Sequence, residues 1–375
     1  MTTFRLRDSD GPGTHVFIIG VGDYPHLKDG SGKQSAPHRG MGQLTSPPVS
    51  AMEILRWVDS TLNNPDAPLK SIEVLISQVD QAQFTDRDGL TQPIAPATWE
   101  NYEESVLAWK QRADSCPENI AIFYFCGHGM GDGINTHLLM ADAGSSSKLL
   151  RHAVRVGELR LAMGDCTALK QLYLIDACRT VDLASVMNPY DVSQSGLPEL
   201  NLLQVFRGEN PVLFSARLGE QAFGAPGQVS VFTKALLDGL NRCAVFQPHG
   251  RNWAVSPHQL QRAIAALMDD FSGVTQCPAD GISGMGFQIH ILTTAPEVVV
   301  HVRLNNQAAN DTAEISYTSA GNRVIRPDSS HPWRTFVPHG QCSIEAIFDP
   351  QAQFTSAPLQ IFMIPPFQNI TLEVI

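Results

Sequence analysis

Two strongly apolar runs in this chain end on reactive side chains. Ala121 to Phe125 leads into Cys126-Gly127-His128-Gly129, and Leu172-Tyr173-Leu174-Ile175 leads into Asp176-Ala177-Cys178-Arg179. Both runs read as β-strands, and in an α/β sheet the carboxyl ends of parallel strands face one crevice. A thiol and an imidazole 50 positions apart in sequence can therefore converge there. The chemistry favours the pairing, because a free thiol is mostly protonated at neutral pH and an imidazole neighbour raises its thiolate fraction. The pattern predicts Cys178 as nucleophile and His128 as general base and acid. The glycines flanking His128 allow a tight turn and leave the Gly129 amide open to a substrate carbonyl. With the Cys178 amide it would form an oxyanion hole worth about 3 kcal/mol per donor.

These segments resemble the catalytic strands of the caspase and metacaspase superfamily, in which a hydrophobic strand enters a (Ser/Cys)-Gly-His-Gly turn and a later strand enters Asp/Gln-Ala-Cys-(Arg/His). The run His15-Val16-Phe17-Ile18-Ile19-Gly20-Val21-Gly22-Asp23-Tyr24 is similar to the family's first strand. Val212-Leu213-Phe214-Ser215-Ala216, Gly219-Glu220-Gln221-Ala222 and Val231-Phe232-Thr233-Lys234-Ala235-Leu236 resemble the strand and helix after the nucleophile. The likeness covers roughly residues 12 to 292 in four ordered anchors. It implies a caspase-hemoglobinase-like three-layer αβα sandwich around a mostly parallel sheet, and a cysteine endopeptidase acting through a thioester acyl-enzyme. Leu44-Thr45-Ser46-Pro47 resembles bacterial caspase-like proteins, some of which serve antiphage or cell-suicide systems, so a zymogen in a defence pathway is the implied setting.

The resemblance also suggests a specificity. Asp176 lies two residues before Cys178 on a strand and so points to the same face. Metacaspases that cleave after Arg or Lys carry Asp at this place, whereas caspases that cleave after Asp carry Gln. Protein substrates with exposed Arg or Lys are thus expected, with the carboxylate pairing to the substrate cation. The alternative is a structural carboxylate bonded to a backbone amide or to Arg179. Cys126, Ser50 and Asp23 are further candidates for the same pocket. Ser50 stands where metacaspases carry an acidic residue at the start of the first helix, and Asp23 could compensate or merely cap a loop. Arg179 is expected to tie loops together.

Composition sets the outer limits. A formal charge of −11 over 375 residues argues against a phosphate-binding surface and suits cationic peptides. The amino-terminal residues lack a signal-peptide core, and no run approaches the length of a membrane span, so a cytoplasmic location is expected, with no membrane or nucleic-acid partner. Seven cysteines without CxxC spacing fit reduced thiols. No HExxH or clustered ligand spacing supports a metal, and Gly30-Ser31-Gly32-Lys33-Gln34 lacks the residues of a phosphate-binding loop. No cofactor is expected; calcium, which activates many metacaspases, is left open by the spacing, as is the oligomeric state.

Along the chain, residues 23 to 49 read as a long surface loop bordering the crevice, and a first helix is expected from Ser50, capped by that serine with Glu53 three residues on. Strands are expected at Ile72 to Ile76, Lys170 to Asp176, Val212 to Ala216 and Met285 to Leu292, and helices at Pro96 to Arg112, Val156 to Met163, Val231 to Arg242 and Pro257 to Phe271. The aperiodic segment from Arg179 to Asn210 is the first candidate for an activation element cut by the protein itself or by an upstream protease, with Lys148 to Arg155 as a second. From Pro296 short β-like runs alternate with Asn, Asp, Gly and Pro turns. The expected division is a caspase-like peptidase domain over 1–292 and a small all-β, sandwich-like domain over 293–375. Two other functions stay open at this stage: a catalytically silent caspase-like scaffold, and a protease that cleaves after Asp.

Overall fold

The structure, a computed structural model, describes residues 2–4, 10–131, 135–179, 194–197, 208–216, 225–250, 252–269, 279–280, 286–327, 333–349 and 353–375. Most of the segment from 179 to 210, the proposed activation element, lies outside the described residues. The chain divides into two compact units, one comprising residues 1–237 with 276–289 and the other 238–275 with 290–375.

In the first unit, β1 (Thr3–Phe4), β2 (Thr14–Val21), the helix α1 (Ser46–Ser60) and β3 (Leu69–Ser77) come first. A short hairpin of β4 (Gln83–Thr85) and β5 (Thr91–Pro93) leads to α2 (Trp99–Ala113) and β6 (Ile120–Gly127). A small antiparallel sheet of β7 (Gly129–Gly131), β8 (Thr136–Leu139) and β9 (Ala153–Arg155) follows, then α3 (Val156–Ala162), β10 (Lys170–Ala177), β11 (Val212–Phe214) and α4 (Val231–Asp238). The central sheet has seven strands in the order β1-β3-β2-β6-β10-β11, closed by Ala279–Asp280. The five strands from β3 to β11 pair in parallel, and both edge strands are antiparallel. The caspase-like expectation of a mostly parallel sheet between helical layers holds.

The sequence explains the layers. β2, β6 and β10 are buried on both faces, so their apolar runs need not alternate. One face carries Phe17, Ile19, Phe123, Phe125, Tyr173 and Ile175 into a core with Tyr102, Val106 and Trp109 of α2. Phe17 packs edge-on against Phe123 at 5.6 Å and stacks on Tyr102 at 6.0 Å. Each such side chain contributes about 1.5–3 kcal/mol by burial. The other face receives α1 against Gly20, where a Cβ would lie 2.5 Å from the Ala51 Cβ. That helix begins four residues earlier than expected, because Pro47 and Pro48 fit the first turn, where no backbone N–H is needed. Ser50 is therefore a fully buried helix residue and not its cap. α2 likewise starts at Trp99, behind a Thr98 side chain that accepts from the Asn101 N–H, and not at Pro96.

The second unit holds a three-stranded sheet ordered Trp333–Pro338, Glu297–Leu304, Phe367–Leu372 and a four-stranded sheet ordered Asn322–Ile325, Glu314–Ser319, Gly340–Ile347, Leu359–Met363. They share a core of Val298, Val300, Val302, Ile315, Trp333, Val337, Ile344 and Ile370, as a sandwich does. The helix Pro257–Met268 packs on the strands Glu297–Leu304 and Phe367–Leu372, which draws 238–275 into this unit. The contacts therefore part the chain near 237 and again near 289, and not at the expected 292/293 boundary alone. Among the described residues, the strand expected over Met285 to Leu292 is reduced to His290–Ile291, paired with Ala254–Val255 in the second unit. Ala279–Asp280 closes the central sheet in its place.

Candidate active site

The register of the central sheet decides what meets at its rim. β6 and β10 pair in parallel with Asp176 beside Cys126 and Ala177 beside Gly127. One residue further on, the two chains arrive at Cys178 and His128, both half-buried. Gly129 backs directly onto the end of β10: a Cβ there would lie 2.4 Å from the Cys178 carbonyl oxygen and 2.8 Å from the Ala177 Cβ. Only glycine allows β7 to leave the strand tip at that distance. The structure thus brings together Cys178, His128 and Gly129, the three residues predicted for the chemistry.

His128 is held at two points. Its backbone N–H donates to the Tyr24 hydroxyl at 2.8 Å, and the two rings lie 4.8 Å apart. Its Nε2 lies 2.8 Å from the Gly42 carbonyl oxygen. A carbonyl can only accept, so Nε2 carries the hydrogen and Nδ1 of the neutral ring is left as the proton acceptor. Burial pushes the imidazole pKa down, and the Gly42 hydrogen bond opposes that shift without cancelling it. A neutral imidazole is the form a general base requires. Arg179, the residue after Cys178, is held in place by donating from Nε to the Thr136 hydroxyl at 2.9 Å and by lying 4.0 Å over the Phe214 ring.

Asp176 faces the α1 side of the sheet and is sealed in, with 3% of its surface exposed. Its Oδ2 accepts from the hydroxyls of Ser230 and Thr233, the latter at 2.8 Å, and from the Cys126 thiol at 3.4 Å. Ser230 sits immediately before α4 and its hydroxyl also accepts from the Thr233 N–H at 3.1 Å. The carboxylate therefore sits at a helix amino terminus, where negative charge is favoured. Burial raises its pKa against the pull of these hydrogen bonds. The same burial, with Asp176 alongside, pushes the Cys126 thiol well up, so that thiol is held in its protonated form.

Ser50 belongs to this cluster. It hydrogen-bonds Cys126, and its hydroxyl accepts from the Ser230 N–H at 3.0 Å. Asp23 does not join it. That residue lines a separate cavity of about 200 Å³ with Ser77, Thr98 and Asp142, because β2 ends there and its backbone N–H bonds to the Ser77 carbonyl. A cavity of about 840 Å³ lies beside the starts of β6 and β10, at Ile120 and Lys170, away from the Cys178 rim. Among the described residues, no three His, Cys, Asp or Glu side chains form a group that could hold a metal, and no helix is long and apolar enough to cross a membrane. All six described cysteines are outside disulfides.

Sequence reasoning missed Tyr24, Gly42, Ser230 and Thr233. Three of these act through a backbone atom or a hydroxyl in a segment with no periodic pattern. The run Ile-Gly-x-Gly-x-Tyr at the end of β2 was the one available pointer to Tyr24.

A model of the caspase domain family matches residues 59–279. The uncharacterized protein y4kE of Sinorhizobium fredii is 24% identical over 294 residues, covering 74% of this chain and 82% of that protein. Two solved structures are also similar. The protein GSU0716 of Geobacter sulfurreducens is 13% identical, with a TM-score of 0.44 over 75% of this chain and all of the other. Caspase-1 of Spodoptera frugiperda is 12% identical, with a TM-score of 0.41 over 78% and 97%.

Proposed function

This chain belongs to the caspase domain family, and on that premise we propose that it is a cysteine endopeptidase in which Cys178 attacks and His128 moves the protons. The observation that carries the reading is the shared tip of β6 and β10, with Gly129 against Cys178 and the Nε2–H of His128 committed to Gly42. In the first step Nδ1 takes the thiol proton as sulfur bonds to the substrate carbonyl carbon. The oxyanion is received by the amides of Gly129 and Cys178. The imidazolium then gives its proton to the departing amine, the C–N bond breaks, and a thioester remains. Water hydrolyses the thioester, with His128 again as base, and restores the thiol.

For the residue before the scissile bond we propose Arg or Lys. The side-chain partners of Asp176 are hydroxyls and a thiol, all neutral, so no cationic side chain among them balances its charge, which only the amino terminus of α4 offsets. A substrate cation balances that charge, whereas a substrate carboxylate placed there adds a second buried negative charge. To reach the carboxylate, the cation takes the place of the Ser230 hydroxyl. The competing reading of Asp176 as a structural anchor for α4 is favoured by the same donors together with the Ser215 hydroxyl. A panel of fluorogenic peptides with Arg, Lys, Asp or Ala before the cleaved bond tests both points. Turnover of the basic peptides, absent in Cys178→Ala, is expected. No turnover of any peptide, with no alkylation of Cys178 by an arginyl electrophile, would favour the silent scaffold, and a preference for Asp would reverse the specificity.

Activation by cleavage belongs to the same proposal. Lys148 and Arg151 are exposed at the surface and offer basic cleavage points. Intact mass of the wild type and of Cys178→Ala after incubation reports self-processing, and identical masses without fragments would remove it.

A further inference from the structure

We infer that Gln43 is a positioning residue that holds both anchors of His128 and so fixes which ring nitrogen faces Cys178. This deepens the reading of His128 as general base and rests on it.

Gln43 comes directly after Gly42, whose carbonyl receives the His128 Nε2–H. Its side chain is used at both ends. Oε1 accepts from the Tyr24 N–H at 2.8 Å, while Nε2 donates to the carbonyls of Tyr24 and Lys28, each at 3.0 Å. One amide thereby clamps the main chain of Tyr24, the residue whose hydroxyl accepts from the His128 backbone N–H. The same amide joins Lys28 to the stretch holding Gly42, alongside the Lys28–Gly42 bridge and the Lys28 N–H to Met41 carbonyl bond at 3.1 Å. The stretch is further located by the Leu44 N–H bonding to the Gly22 carbonyl at 2.8 Å. Gly22 permits that approach, since a Cβ there would lie 2.4 Å from the Leu44 carbonyl oxygen.

The consequence lies in hydrogen-bond geometry. A donor and an acceptor are both needed at position 43, and methionine of similar shape supplies neither. Glutamate keeps the acceptor and sets a carboxylate against two carbonyls. Without the clamp the Gly42 carbonyl loses its fixed place, and the two neutral forms of the His128 ring become closer in energy. Gln43 is itself solvent-exposed, so its replacement removes no core side chain.

The test compares wild type, Gln43→Met and Gln43→Glu by nitrogen-15 NMR of the histidine ring and by kinetics on the peptide panel. The expected result is a single tautomer hydrogenated at Nε2 in the wild type and a mixture in both variants, with thermal midpoints essentially unchanged. With an active enzyme, kcat falls about 10- to 100-fold, as misorientation of a general base predicts, and KM stays within about twofold. An unchanged tautomer ratio in Gln43→Met would overturn the inference. Because the NMR readout needs no turnover, a tautomer shift in a protein that cleaves no peptide would sustain the positioning role and remove the peptidase reading instead.

Discussion

His15 and His128 belong to neighbouring strands of one sheet or their tips, the first buried and the second half-buried, and both are held toward the neutral form, yet they stand at opposite ends of it. His15 is the second residue of β2 and pairs across to Ser71 and Ala121, while His128 lies just past the end of β6. The Nδ1 of His15 bonds to the Ser71 hydroxyl at 2.9 Å, and its Nε2 meets no protein partner among the described residues. Its pKa is lowered to about 4, first by burial and then by the cations Lys70 and Arg112. His128 has no cation among the causes of its shift, and a carbonyl holds its Nε2 so that Nδ1 is the acceptor nitrogen of the neutral ring. Burial alone thus marks no catalytic histidine. What separates the two is one nitrogen anchored to a carbonyl at the carboxyl-end rim of the sheet, beside a thiol.

The largest expected effect breaks this comparison most directly. Cys178→Ala and His128→Ala should each lower kcat/KM by about 10⁴-fold or more, as losing a nucleophile or its base does. His15→Gln should leave kcat/KM within about threefold, since nothing ties it to the rim. In the wild type the acidic limb of kcat/KM should fall below the ordinary imidazole value, because burial disfavours the charged ring. A limb above that value would give the base role to another group.

Next in size comes Gly129→Ala. The added methyl would meet the Cys178 carbonyl oxygen at 2.4 Å, and that atom is backbone that cannot swing aside. A shift of the nucleophile by about 1 Å should cost about 100-fold in kcat. Gly227→Ala, with nothing within 4 Å but a positive φ of 70°, supplies the contrast: backbone strain without loss of rate. Asp176→Asn should reduce kcat/KM for the Arg peptide by about 30-fold and leave the Ala peptide within about threefold, if the carboxylate faces a substrate cation. Equal losses on both peptides, with a lowered thermal midpoint, would make Asp176 an anchor of α4 only.

The strand tips were legible because a parallel sheet is written as continuous apolar runs, and its closing residues are the reactive ones. The meeting of Cys178, His128 and Gly129 at one rim could be read this way, and alternation along the strand separates Asp176 from Ile175 and Ala177, which join the α2-side core. Alternation could not show that α4 covers the Asp176 face, because that depends on Ser230 and Thr233, more than 50 residues further along the chain. Asp23 was misplaced for a related reason: proximity to a strand end does not say which side of the sheet the chain turns toward. The loop from 23 to 49 offered no periodicity, and its contribution is a main-chain carbonyl, which has no residue-type signature. The expected boundary followed the change to short β-like runs at Pro296, a pattern that does not show the helix Pro257–Met268 packing on the strands Glu297–Leu304 and Phe367–Leu372.

The smallest expected effect concerns His15 and is one of stability. The unfolded imidazole titrates near 6.5 and the folded one near about 4, so the unfolded chain binds more protons between those values. Above 6.5 both states are neutral and the group contributes no pH dependence. As pH falls from 6.5 toward 4 the unfolded state gains the proton that the folded state resists, and stability is lost. The difference of about 2.5 units corresponds to about 3 kcal/mol at the acid end of the window. Equilibrium urea unfolding of wild type and His15→Gln across that range should therefore show a steeper fall in the wild type. The absolute stability of the variant at pH 7 is immaterial, since the slope carries the information. Equal slopes would mean that His15 takes up its proton within the folded protein, and its contrast with His128 would then rest on position in the sheet alone.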